Sequence, residues 1–313
     1  MPDQQSLLPA TMTVFERGWL SSNNILFIDH EDHGGAQPRT ALVDSGYMTH
    51  AEQTLALVRQ ALGGRKLDLL INTHLHSDHC GGNAILQRAY ACHTLIPVAE
   101  AAAVAAWDED SLTYKATGQK CERFGFDASL APGDKLVLGG LEWQALAAPG
   151  HDPHSLILYC ASEALLISAD ALWENGFGVI FPELEGESGF AEQAGVLQLI
   201  SELEVRVVIP GHGAPFSDVA AALERARGRL DYLASDPRRN ARNALKVMMA
   251  FLLLETRQCS LQKLQAGIRE NRIMSAAAQM LDAPVDTLIS ALAAELVRAG
   301  AARLDGDTLV SAR

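Results

Sequence analysis

The chain has little that would tie it to a membrane, a polyanion or an oxidising compartment. Its longest apolar run, Val247 to Leu254, is far below the ~20 residues needed to cross a bilayer. The opening MPDQQSLLPATM has no basic start and no apolar core of signal-peptide length. A soluble, cytoplasmic protein with no membrane partner is therefore expected. Basic charge is in deficit: 25 Lys and Arg against 38 Asp and Glu leave −13, which argues against nucleic acid as a bulk electrostatic partner. Cysteine is scarce and odd in number, five with no CxxC spacing, which suits reduced thiols and excludes a disulfide framework. No GxSxG elbow and no phosphate-cradling glycine loop is present to compete as an active site.

What the chain does have is a dense run of metal donors. LLINTHLHSDHCGG, Leu69 to Gly82, follows a short apolar stretch that reads as a buried strand. His74, His76, Asp78 and His79 then fall within six residues. Imidazole and carboxylate are ligands that suit zinc, iron or manganese. Strand geometry puts residues i and i+2 on the same side, so His74 and His76 are expected to converge on one ion. Asp78 and His79, just past the strand end, are placed to face a second. Gly81 and Gly82 are expected to let the backbone turn sharply into a helix. Cys80, displaced from the ligand positions, is expected to fill space beside them.

THLHSDHCGG resembles the T-H-x-H-x-D-H-x-G-G signature of the metallo-β-lactamase superfamily. Four further residues that the superfamily's pattern requires occur in order, each closing an apolar run: Asp44 in TALVDSG, His151 in AAPGHDPHS, Asp170 in ALLISAD and His212 in VVIPGHG. The likeness covers about residues 11 to 217. It implies an α/β fold, an αββα sandwich with the metals at one edge. It also implies that His74, His76 and His151 hold one ion, that Asp78, His79 and His212 hold a second, and that Asp170 bridges them. Two divalent ions are implied, zinc first, with iron or manganese as alternatives. They would share a hydroxide generated near neutral pH. Asp44, Asp78 and Asp170 are the expected catalytic carboxylates, with Asp44 orienting a ligand or loop.

Asp170 stands where the B1 β-lactamases place a cysteine, so the pattern is more similar to glyoxalase II (hydroxyacylglutathione hydrolase), lactonases and the ribonuclease Z group. In the glyoxalase II pattern a second histidine follows the ligand His151 by four residues; here His154 follows by three. The expected activity is hydrolysis of a small thioester, ester or lactone, with a small-molecule substrate. A metal-dependent nuclease or phosphodiesterase and a non-enzymatic binding protein are the alternatives. His154, Trp173, Phe177 and Tyr114 are candidate substrate contacts.

Along the chain, MTVFERGW, NNILFID and TALVDSG read as strands, and the polar HEDHGGAQPR between the last two as a solvated turn. A helix is expected over 49–62, with apolar residues at 51, 55, 58 and 62 and Gly63-Gly64 as its stop. A helix at 83–90, a strand at 93–97 and an Ala-rich helix to Trp107 follow. Residues 108–132 lack a clean period and read as a lid or surface excursion. Two hairpins are expected in 135–169, turning at Gly139-Gly140 and at Ser162-Glu163. The aromatics of the irregular segment 170–189 are expected to wall the site. A helix from Phe190, the strand VRVVIP and a helix over 218–233 follow.

Ser235 to Asn240, SDPRRN, reads as a linker. It divides the chain into a catalytic domain, 1–236, and a small, mostly helical domain, 237–313. The latter is expected to have three helices, to 256, from the cap Ser260, and over 284–298, and then a hairpin on Asp305-Gly306. This order resembles a winged helix. Beyond residue 240, nine basic residues stand against seven acidic ones. A packing, homodimerising or substrate-wall role is therefore expected rather than nucleic-acid binding.

Overall fold

The computed structural model describes residues 7–29 and 39–312. The donors of the HEDHGGAQPR turn from residue 30 onward lie outside the described residues. Two sheets carry the body of the fold. The first has six strands: Met12–Phe15 (β1), Asn24–Ile28 (β2), Thr40–Val43 (β3), Leu69–Ile71 (β4), His93–Pro97 (β5) and Ala128–Leu130 (β6), in that spatial order. Its β1 to β3 are antiparallel and its β3 to β6 parallel. The second has Lys135–Leu138 (β7), Leu141–Ala147 (β8), Leu156–Cys160 (β9), Leu165–Ala169 (β10) and Val207–Pro210 (β11), with β11 at the edge beside β10.

The apolar runs are buried on both faces, and alternation sorts them. Ile25, Phe27, Ala41, Val43, Leu69 and Ile71 face Leu156, Leu158, Leu165, Ile167, Val207 and Ile209 between the sheets. The residues between them face outward. Leu26, Leu42 and Leu70 pack under the helices Ala51–Leu62 (α1) and Asn83–Tyr90 (α3), which flank the short Ser77–Cys80 (α2). Ile157, Leu166 and Val208 pack under Phe190–Glu202 (α6) and Val219–Ala234 (α7). This is the expected αββα sandwich. Each fully buried Leu or Ile contributes roughly 1.5–3 kcal/mol, so a strand of this kind has little freedom to slip register.

The glycine hairpin is as expected. Leu138 pairs with Leu141 across Gly139 and Gly140, whose φ of 59° and 76° suit a primed two-residue turn. Residues 108–132 are more ordered than their composition suggests. They hold Tyr114–Thr117 (α5), after Ala101–Ala106 (α4), and then β6, which extends the first sheet.

The expected linker is nearly absent. Asp236 caps a helix that starts at Pro237, Pro237–Thr256 (α8), so Arg238 to Asn240 are already helical. Proline is at home in a first helical turn, where its missing N–H leaves no bond unmade. Four helices, not three, make up the rest: α8, Leu261–Glu270 (α9), Arg272–Met280 (α10) and Val285–Arg298 (α11). The extra one, α10, is capped by Asn271, whose side chain accepts from the Met274 N–H at 2.9 Å. Ser260 caps α9 as expected. A small sheet of Gln258–Ser260 (β12), Thr308–Ser311 (β14) and Ala302–Asp305 (β13), in that order, closes the chain. Leu245, Met249 and Leu253 of α8 share a core with Ile268, Ile273, Leu292 and, from the body, Val179 and Leu184. Among the described residues no helix is long and apolar enough to cross a membrane.

Candidate metal centre

Most of the predicted site residues lie beyond the C-terminal end of a strand, and Asp78 and His79 lie within α2. Asp44 follows β3, His74 and His76 follow β4, His151 follows β8, Asp170 follows β10 and His212 follows β11. Strand alternation does not aim His74 and His76, because β4 ends at Ile71. The loop and the N-terminus of α2 place them instead. Gly81 and Gly82 also differ from expectation. Their φ of −63° and −91° are open to any residue, and what requires glycine is crowding. A Cβ at Gly81 would collide with the Met48 amide, and one at Gly82 with the Ser45 carbonyl. At two other strand ends the backbone itself is bent into the left-handed region, Asp44 at φ 59° and Ala169 at φ 45°. A non-glycine residue there costs on the order of 1 kcal/mol, and at both places the bend delivers a site carboxylate.

The donors form two sets. His74, His76 and His151 bring their ligand atoms within 4.8 Å of one another, and so do Asp78, His79, Asp170 and His212. Asp170 reaches both sets: Oδ1 lies 3.3 Å from His79 Nε2 and 3.9 Å from His212 Nε2, and Oδ2 lies 3.4 Å from His151 Nε2. His212 Nε2 is 3.1 Å from Asp78 Oδ2.

The outer nitrogen of most rings is committed elsewhere, which fixes the nitrogen that faces inward. His79 Nδ1 donates to Asp44 Oδ2 at 2.8 Å, and His151 Nδ1 donates to the Val179 carbonyl at 2.5 Å. Thr73 Oγ1 donates to Asp44 Oδ2 at 2.8 Å, and it lies 3.1 Å from His74 Nδ1, whose N–H it can accept. Asp44 therefore orients His79 directly and His74 through Thr73. Two consequences bear on whether metal ions fit. The inner Nε2 atoms of His74 and His79 are buried with no hydrogen-bond partner among the described residues. His76 Nδ1 and His151 Nε2 face each other 2.8 Å apart, close enough for both lone pairs to serve one ion. Histidine and carboxylate donors of this number suit zinc, iron or manganese.

Electrostatics separates the two sets. Burial holds His74 well below the usual imidazole range and lowers His76. Burial, with His76 beside it, brings His151 down to about 4. Neutral imidazoles offer lone pairs at physiological pH. Burial opposes the charge on His79 too, but the Asp170 and Asp44 carboxylates outweigh it and raise His79 well above its ordinary value. Asp170 is held well below the carboxylate range: burial works against its charge, and His79 and His212 overcome it. Asp78 is lowered against burial chiefly by its hydrogen bond to His212.

The other candidates are scattered. Trp173 Nε1 donates to Asp170 Oδ1 at 3.2 Å, and its ring meets the His212 ring edge-on at 5.4 Å. Phe177 is buried and lines the cleft. Tyr114 is corrected: it does not line the cleft. Its ring is buried behind α2, and its hydroxyl donates to the Leu75 carbonyl at 3.0 Å, with Cys80 Sγ 3.1 Å away. Cys80 packs there as expected, and burial pushes its thiol well up, away from the ligating thiolate. His154 pairs with Glu100 at 2.6 Å and belongs to neither donor set.

Sequence reasoning missed Trp19, which stacks on His212 at 5.5 Å, and the Val247 and Phe251 wall supplied by α8. It also missed Arg229 of α7. No local pattern marks these, because each reaches the site from far along the chain. Together they line a cleft of 130 Å³ over the donors.

Comparison with known proteins agrees with this geometry. The family model described as the Metallo-beta-lactamase superfamily matches residues 20–212, more than half of the chain. A hydroxyacylglutathione hydrolase of Rhodopseudomonas palustris is 28% identical over 160 residues, 51% of this chain and 52% of that protein. Another protein of that name, from Brucella anthropi, is 25% identical over 261 residues, 82% of each. The match to the first spans only about half of that relative's length. A metallo-beta-lactamase family protein from Thermus thermophilus superposes with a TM-score of 0.58 at 19% identity, over 97% of this chain and 99% of that one.

Proposed function

Because the chain belongs to the metallo-β-lactamase superfamily, we propose that it is a hydrolase dependent on two divalent metal ions, and that it cleaves a small thioester, ester or lactone. The observation that carries this reading is Asp170, whose two oxygens face different donor sets, 3.3 Å from His79 and 3.4 Å from His151. His74 Nε2, His76 Nδ1 and His151 Nε2 would hold one ion. Asp78, His79 Nε2 and His212 Nε2 would hold the other, with Asp170 between them. Zinc is the first choice, with iron or manganese able to use the same donors. Such a pair, when bound, supplies a water activated near neutral pH and polarises the bond to be cleaved.

The chain's own residues prepare that chemistry. Asp78 and Asp170 remain anionic at neutral pH and offset the positive charge that gathers at the donors. Asp44 keeps His79 and, through Thr73, His74 aimed inward. Trp19, Trp173 and Phe177 exclude bulk water from one side of the cleft, which strengthens every interaction inside it. Residues 237–313 are proposed as a second domain that completes the cleft wall through Val247 and Phe251, and 1–236 as the domain that carries the donors.

The test is a panel of thioesters, esters, lactones and phosphodiesters assayed with the metal-saturated protein, beside elemental analysis. Two equivalents of metal with turnover of an acyl substrate is the expected result. Turnover confined to phosphodiesters would replace this reading, and none at all in a fully metallated protein would end it.

A further inference from the structure

Among the described residues lining the cleft, Arg229 is the only side chain that is cationic whatever its surroundings. It has no carboxylate within ion-pair distance among the described residues. Its recorded partners are the Asn243 amide oxygen, 3.3 Å from Nη2, and the Phe177 ring, whose centroid lies 5.7 Å from the guanidinium carbon. Its Nε is buried without an acceptor, and so is Nδ2 of Asn243 beside it. Arg17, which is buried where Arg229 is half-buried, is different. It donates to Asn24, Thr54 and Gln53 at 2.6 to 2.9 Å and reads as structural. Buried donors left unpaired cost free energy unless something else satisfies them. An arginine fork matches a carboxylate.

Resting on the hydrolase reading above, we infer that Arg229 selects substrates with a carboxylate on the acyl group, as in a monothioester or monoester of a short dicarboxylic acid. The guanidinium, laid against Phe177, receives the free carboxylate while the acyl carbonyl lies at the donors. Size and charge narrow the class. A cavity of 130 Å³ is close to what holds one benzene-sized body, so the two groups are separated by only a few carbons. The planar fork of one guanidinium matches the two oxygens of one carboxylate, which sets the charge of the group it receives. In the reaction water adds to the acyl carbonyl and the C–S or C–O bond breaks. The acid keeps the water's oxygen, and the leaving thiol or alcohol takes a proton.

Two thioesters of one thiol separate the outcomes, S-succinyl- and S-butyryl-N-acetylcysteamine, equal in acyl length and different in charge. With the metal-loaded protein, kcat/KM for the succinyl compound should exceed that for the butyryl by at least tenfold. Arg229→Met should remove that advantage, mainly through KM of the succinyl compound, bringing the ratio of the two kcat/KM values to within about twofold of one. Arg229→Lys should retain part of it. Binding is read separately by calorimetry with succinamate, an amide of the same shape, against butyramide. Succinamate should bind the native protein and weaken at least tenfold in Arg229→Met.

Equal rates on the two thioesters, or succinamate binding unchanged in the variant, would overturn the inference while leaving the hydrolase reading in place. Succinamate binding that depends on Arg229, with no turnover of either thioester or of any member of the wider panel, would support the carboxylate site and sink the hydrolase reading. If Arg229→Met does not fold, native substrate preference and Asn243→Leu decide instead: loss of the preference in Asn243→Leu supports the site, and no native preference overturns it.

Discussion

His74, His76 and His151 on one side, and Asp78, His79 and His212 on the other, sit around one carboxylate in opposite electrostatic surroundings. The first three are imidazoles kept neutral by burial. The second three include a carboxylate and an imidazole that Asp170 and Asp44 draw toward positive charge. The difference teaches how one small cluster can prepare two unlike sites. One is made by withholding protons, the other by concentrating negative charge, and Asp170 belongs to both.

Breaking the shared element should have the largest effect. Asp170→Ala is expected to lower kcat by about 100- to 1000-fold, the range that removal of a group stabilising the transition state produces. Metal content should fall from two equivalents to one or fewer with the circular-dichroism spectrum kept. Full activity in this variant would show that the two sets do not depend on a bridge. Next come the single-sided changes. His74→Ala and Asp78→Ala should each lose one equivalent and keep the other, which metal-edge absorption spectroscopy can distinguish by the number of imidazole ligands left. Asp44→Asn is milder and sharpens the comparison. It should weaken metal binding by roughly 10–100-fold, and more on the His79 side, where Asp44 touches the ring, than on the His74 side, where Thr73 intervenes.

The smallest effect is one of pH on the metal-free protein. A histidine lowered to about 4 in the fold, as His151 is, leaves the unfolded chain binding the proton that the folded one refuses. Stability should therefore fall as pH drops from about 6.5 toward 4, by roughly 3 kcal/mol at full effect for that one ring. His79 has the opposite sign. Its pKa is raised, so its contribution is present below about 6.5 and is lost as pH rises through the folded value. Denaturant titrations across pH would show a maximum between the two limbs. A flat profile would mean that the two sets are not electrostatically distinct.

Much of this was legible in the sequence, for a reason visible in particular residues. His74, His76, His151, Asp170 and His212 stand just past apolar runs and Asp78 and His79 in the helix that follows one, so their gathering at one edge could be read in advance. The sandwich followed from the same runs, and the glycine hairpin from Gly139-Gly140. Tyr114 was misplaced because an aromatic in a long irregular segment does not reveal which way its ring turns. Arg229 and Phe251 were missed because their approach to the cleft depends on how α7 and α8 pack, and Trp19 because it sits in the turn between β1 and β2, far along the chain from the donors it meets. Helix α10 was missed because Asn271 begins it one residue after α9 ends, leaving no turn signal between them.

The lack of a linker at Ser235 to Asn240 has a consequence in time. Asn240, in the first turns of α8, donates to the Ile180 carbonyl at 2.9 Å, and α8 then carries Val247 and Phe251 over the donors. During synthesis the last donor, His212, is made about 40 residues before Phe251, an interval of about 2–8 s at ordinary elongation rates. Through that interval the donors are without the wall that Val247 and Phe251 supply. The order of residues along the chain thus puts the donors ahead of their wall, and metal uptake before closure is the expected order of events. Faster metal uptake by a chain ended at residue 236 than by the full chain is the expected sign of it, and equal rates would remove the distinction.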